Sequence, residues 1–175
     1  MSVPFPGKDV PIAENQIWTM GQTWYDYFKF GTLPFRRVTA TTTNDNAAAG
    51  SVGEVITATS GAVVLVSATP ANLTSIALTA GDWDVSAGFI AAGGATTNMT
   101  DLWVSINTVT ATNTFTQGQS YRMRGFTQID PANAAPVGIL RASLAAPATY
   151  YLNAQSTFTG TALSVTGIIR ARRVR

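Results

Sequence analysis

The chain has no cysteine and no histidine among its 175 residues. The first absence excludes a disulfide framework and leaves the redox compartment open. Together they remove the Ser-His-Asp triad, the cysteine nucleophile, and the imidazole and thiolate ligands of most zinc sites. Charge is scarce as well. Asp, Glu, Lys and Arg make up 11% of the chain, against about 25% in an average soluble domain. Thr, Ala, Gly, Ser and Asn fill the positions that Lys and Glu usually hold. Such a surface resists aggregation poorly unless part of it is covered, so an oligomer or an assembly component is expected. Long hydrophobic runs are missing too. The longest fully apolar one is Ala62–Val66, far short of the ~20 residues of a membrane helix, and no membrane insertion is expected. The start, MSVPFPGKDVP, has no basic stretch leading into an apolar one. A soluble chain made in the cytoplasm, without a signal peptide, is the expectation.

What is present is strand pattern. In Ala80–Ala91, AGDWDVSAGFIA, the apolar residues Trp83, Val85, Ala87, Phe89 and Ala91 alternate with Asp82, Asp84 and Ser86. Period two puts the two sets on opposite faces of a half-buried strand that begins right after a turn signal. Further strand candidates surround it: Glu54–Ala58, Ala62–Val66, Leu73–Thr79, Leu102–Thr108, Tyr121–Ile129, Val137–Leu144, Thr149–Phe158 and Ala162–Arg173. Gly- and Pro-containing turn signals separate them. Many short strands at regular spacing predict an all-β fold, an antiparallel β-sandwich of jelly-roll type. No fixed-period repeat stands out, which argues against a solenoid.

The front of the chain reads differently. Pro4, Pro6, Gly7 and Pro11 favour an extended arm. From Glu14, Ile17, Met20, Trp24 and Phe28 recur at helical spacing with Tyr27 beside them, and Gly31 and Pro34 stop the helix. Trp18 and Tyr25 make the other face aromatic as well. A helix this short is marginal in water by itself and needs something to pack on. The run TATTTNDNAAAGS, Thr39–Ser51, has no apolar period and separates it from the strands. The expected organisation is an arm and attachment helix over 1–38, a linker over 39–51 and a β-sandwich over 52–175. Ile17, Trp18, Met20, Trp24, Tyr27 and Phe28 are the candidate assembly anchor.

Few residues suggest chemistry. Asp82 and Asp84 share a strand face about 7 Å apart, the nearest approach to paired carboxylates, although solvated side chains on a polar face account for them. Arg122 and Arg124 share a face with Arg141 on another strand; carboxylates such as Asp84, Asp101 or Asp130 are their expected partners, an acidic sugar the sharper alternative. Trp103 and the pair Tyr150-Tyr151 are candidates for stacking a sugar, but adjacent strand residues point to opposite faces, so at most one tyrosine belongs to such a site. Gly93-Gly94 lacks the lysine and spacing of a phosphate-binding loop. Arg170, Arg172, Arg173 and Arg175 crowd the tail, where GIIRARRVR alternates like a last strand; nucleic acid is not expected as a partner. No catalytic, metal or cofactor site is assigned, and no enzyme is expected.

Four stretches carry a resemblance: VPIAENQIWTMGQTWYDYFKFG at the front, then GSVGEVITATS, LTSIALTAGDWDVSAGF and the closing GIIRARRVR. The chain resembles virion proteins of tailed bacteriophages, of the fibre, spike or decoration kind, in which a short attachment segment precedes a jelly-roll domain. The resemblance implies a homotrimer located in the virion and fixed to other virion proteins by its front segment; it supplies no catalytic residue, and no cofactor is expected. A carbohydrate-binding module or adhesin that meets a host surface glycan through jelly-roll loops is the alternative.

Overall fold

The computed structural model describes residues 46–126 and 133–175. The expected front helix, its candidate anchor residues, and the linker up to residue 45 lie outside these. Nine strands follow: β1 (Val55–Thr59), β2 (Val63–Val64), β3 (Ala71–Leu78), β4 (Gly81–Gly93), β5 (Asn98–Asn107), β6 (Ser120–Phe126), β7 (Asn133–Leu144), β8 (Ala148–Thr159) and β9 (Leu163–Arg173). They form two antiparallel sheets. The first has the order β1-β9-β4-β7, with β2 also on β9; the second has the order β3-β8-β5-β6. No α-helix occurs among the described residues.

Each strand lies where the sequence pattern placed it, and most differences are at the ends. Ala62–Val66 is the exception, a strand of two residues only. Its apolar run is a crossover between the sheets. Leu65 is buried and donates its N–H to Leu163 O. Ala68 then turns at φ 63° and donates to Ser156 O on the second sheet.

Alternation sorts the side chains. In β9, Leu163, Val165, Ile169 and Ala171 face inward and are fully buried, with Ser164, Thr166, Ile168, Arg170 and Arg172 between them. Trp83, Val85, Phe89 and Ala91 of β4 meet them from the neighbouring strand, and Leu102, Val104, Ile106, Leu152 and Ala154 close the core from the second sheet. Gly167 falls at an inward position where the sheets approach closely. A Cβ there would lie 2.6 Å from Leu152 Cδ2.

One end of this core is polar. Trp83 stands opposite Arg173 in the β4–β9 register, and Arg173 exchanges backbone hydrogen bonds with the β1 entrance at Gly53 and Glu54. The Arg173 guanidinium lies 4.2 Å from the centre of the Trp83 ring. It donates to Glu54 Oε2 at 2.9 Å, to Ala80 O at 2.9 Å and to Thr79 Oγ1 at 2.5 Å, while remaining only 6% exposed. The Trp83 indole N–H donates to Thr79 O at 3.0 Å. The turn that leads into β4 wraps the guanidinium so tightly that a Cβ on Gly81, at φ +134°, would displace Arg173 Nη1.

Candidate functional site

The residues singled out for chemistry are put to structural use. Asp82 is 7% exposed, not the solvated carboxylate the strand pattern suggested. Trp83 beside it is inward as expected, but the β4 end is capped by the last residues of the chain, so both faces are covered there. Arg175 pairs with the Asp82 carboxylate, and Arg141 lies 3.6 Å away. The Ser143 hydroxyl first and Arg175 second hold its pKa below the usual carboxylate value. Asp84, two residues on, is on the outer face and is not drawn into this cluster.

Arg122 and Arg124 sit on β6 in the second sheet, and Arg141 sits on β7 in the first, so the three cations do not form one site. Arg122 makes a two-pronged contact with Asp101, Nε–Oδ1 2.9 Å and Nη2–Oδ2 2.5 Å, with Arg124 at 4.0 Å. The Asp101 hydrogen bond raises the Arg122 pKa further. Arg141 turns to Asp82, not to Asp84.

The aromatic candidates are also separated. Tyr150 is buried in the core, and burial raises its pKa. Tyr151 is opposite Asn107 in the β5–β8 register, whereas Trp103 is opposite Gln155. Between them lies the loop over 108–119, folded back on the second sheet and held by side-chain amides. Asn153 donates to Val109 O and Thr112 O at 2.8 Å and accepts from Ala111 N at 3.1 Å. Asn107 donates to Thr112 O, and Ser105 donates to Asn113 Oδ1. The Trp103 ring has the Arg122 guanidinium 4.8 Å from its centre and Phe115 tilted against it at 5.8 Å. Its own chain already occupies the surface on which a sugar would stack.

The feature that remains is the outer face of the first sheet. Cross-strand register arranges it in rows. Arg172, Asp84 and Arg141 make the first row, and Arg170, Ser86 and Ile139 the second. Ile168, Gly88 and Pro136 make the third, followed by Thr166, Ile90 and Ala134. One end is therefore cationic and the middle is apolar. Ile139 is 70% exposed and Ile90 48%. A trough of about 500 Å³ crosses the strands between the third and fourth rows, floored by Gly88 and walled by Ile168, Pro136 and Ile90. A β-bulge opposite Ser86 and Gly88, where β7 carries the extra residue, brings Pro136 and Ile139 into neighbouring rows.

Sequence alternation alone passed over this surface, although a signal for it exists. Phe89-Ile90, Ile139-Leu140 and Ile168-Ile169 are adjacent apolar pairs inside alternating strands. One member of each pair faces the core and the other must face out. The three outward isoleucines come from three neighbouring strands and gather on one face.

Neither a protein-family model nor a curated protein matches this chain. Among solved structures, the chain is similar to one described as the crystal structure of infectious bursal disease virus VP2 subviral particle. The TM-score is 0.37 at 13% sequence identity, covering 70% of this chain and 38% of that one. The match thus spans well under half the length of that viral protein.

Proposed function

We propose that the protein is a structural component of a tailed-phage particle: residues 1–38 anchor it to other virion proteins, and the β-domain projects as a homotrimeric jelly roll. The observation that carries this reading is the outer face of the first sheet, apolar at its centre, on a domain with little charge elsewhere. Isolated soluble domains seldom leave such a face open, whereas assembly components use it. The pairing order supports the jelly roll. β5 pairs with β6, β4 with β7, β3 with β8 and β1 with β9. This nesting is that of one long antiparallel ribbon folded over into two sheets. The four stretches that resemble phage virion proteins supply the particle, and the aromatic front segment supplies the anchor. Glycan binding has less support, since Trp103 is covered by Arg122 and Tyr150 is buried.

Mass spectrometry of particles purified from the phage that carries the gene tests the reading. The chain is expected in the particle, and the full-length Trp24→Asp/Phe28→Asp variant is expected to be made but left out. Purified particles without the wild-type chain would refute the proposal.

A further inference from the structure

We infer that the outer face of the first sheet is where copies of this chain meet, with Ile139 and Ile90 set around the Gly88 trough at the centre of the contact. The inference rests on the oligomeric reading above and assigns it a surface. Size, charge and chemistry all favour a second copy as the occupant.

The face is four strands wide and five alternate positions long, from Asp84 to Ala92 along β4. At about 4.8 Å between strands and ~3.3 Å per residue, it measures roughly 20 by 27 Å. Three such faces turned toward a common axis, each meeting a neighbour on either side, bury on the order of 1,600 Å² in the trimer, the scale of a specific protein contact. Across the middle rows Gly88, Ala134, Pro136, Ile90 and Ile168 present no charge, so a highly charged partner such as nucleic acid finds no complement there. Small residues let another backbone approach closely, and the trough gives a projecting apolar side chain a place to go. Ile139 projects from the same face and is such a side chain. The first two rows carry Arg141, Arg170 and Arg172 against Asp84. Like rows cannot be superposed without repulsion, so the copies meet with their cationic ends displaced, forming a polar rim around an apolar centre. Phe115, an aromatic side chain 65% exposed, sits on the second sheet's loop against Trp103 and does not line this trough.

Light scattering on three full-length proteins tests this. The wild type is expected at the mass of three copies, Ile139→Asp at the mass of one, and Phe115→Asp at three again, each with the wild-type circular-dichroism spectrum. A folded Ile139→Asp variant that keeps the wild-type mass overturns the inference and leaves the oligomer standing. A single-copy wild type removes the oligomeric reading itself. Because the chain has no cysteine, Ile139→Cys and Phe115→Cys provide a second measurement should Ile139→Asp fail to fold. Thiol labelling of the assembled protein is expected to be several-fold slower at position 139 than at 115, and equal in denaturant. Equal rates in the assembled protein overturn the inference.

Discussion

Replacing Arg173 by methionine keeps the length of the side chain and removes everything its guanidinium does. The losses are an ion pair to Glu54 at 2.9 Å, hydrogen bonds to Ala80 O and Thr79 Oγ1, and a face contact with Trp83 at 4.2 Å. Charge-assisted hydrogen bonds contribute about 1.5–3 kcal/mol each, and a desolvated cation–π contact about 2 kcal/mol. Their sum overstates the effect, because the unfolded chain returns each group to water. A better guide is the cost of removing one member of a buried pair, about 3–5 kcal/mol, since the other is left without its counter-charge. Arg173→Met is therefore expected to lower the melting temperature by roughly 10–20 °C in a domain of this size. Urea titration followed by circular dichroism reads it as a lower midpoint at unchanged slope. Arg173→Lys retains the charge but not the planar fork and should fall between. A loss below about 1 kcal/mol for Arg173→Met would show that the cluster is a by-product of packing and not a clamp.

The remaining expectations concern pH and the β5–β6 loop. Glu54 has its pKa lowered, first by the Gly50 N–H and then by Arg173, and Asp82 by Ser143 and Arg175. Depressed folded-state values mean that their stabilisation is complete above the unfolded carboxylate range and is lost as pH falls through and below it. Melting temperature should thus drop below about pH 4.5 and be flat from about pH 5.5 to 7, where a chain without histidine has no side chain to titrate; a slope in that upper window would contradict the assignment. Asn153→Ala removes three hydrogen bonds from the loop over 108–113. Amide exchange there should quicken markedly while β4 and β9 keep their protection, and an unchanged loop would mean that Phe115 on Trp103 suffices to hold it.

Much of this fold is legible from alternation alone, because a strand between a core and solvent writes its orientation in every second residue. Trp83 to Ala91 and Leu163 to Ala171 are read correctly for that reason. Where a strand is covered on both sides, the code fails. Asp82 looks like a polar-face residue, yet it is buried because Ser143, Arg141 and Arg175 reach it from elsewhere in the sequence. The same holds for Arg173, which resembles its neighbours Arg170 and Arg172 in composition but occupies an inward position. Its four partners lie 90 or more residues away. Long-range pairing of this kind leaves no local trace. Nor does the sequence show that Asn153 and Asn107 are loop clamps, since amide side chains are equally at home in solvent.

The scarcity of charge takes on a physical meaning once these pairings are known. Within the described residues the acidic side chains are Glu54, Asp82, Asp84 and Asp101. Glu54 is taken by Arg173, Asp82 by Arg175 and Arg141, and Asp101 by Arg122 and Arg124. Only Asp84 is left outside an ion pair, and it lies in the same row as Arg172 and Arg141. Three of these four described carboxylates are therefore used to close the sandwich's own ends and edges. The outer face of the first sheet keeps Arg170, Arg172, Asp84 and Arg141 at one end and no charge in its middle rows. A domain made in this way has no charged shell to keep copies apart at its middle rows. That is the physical ground for the assembly contact proposed at Ile139, Ile90 and Ile168.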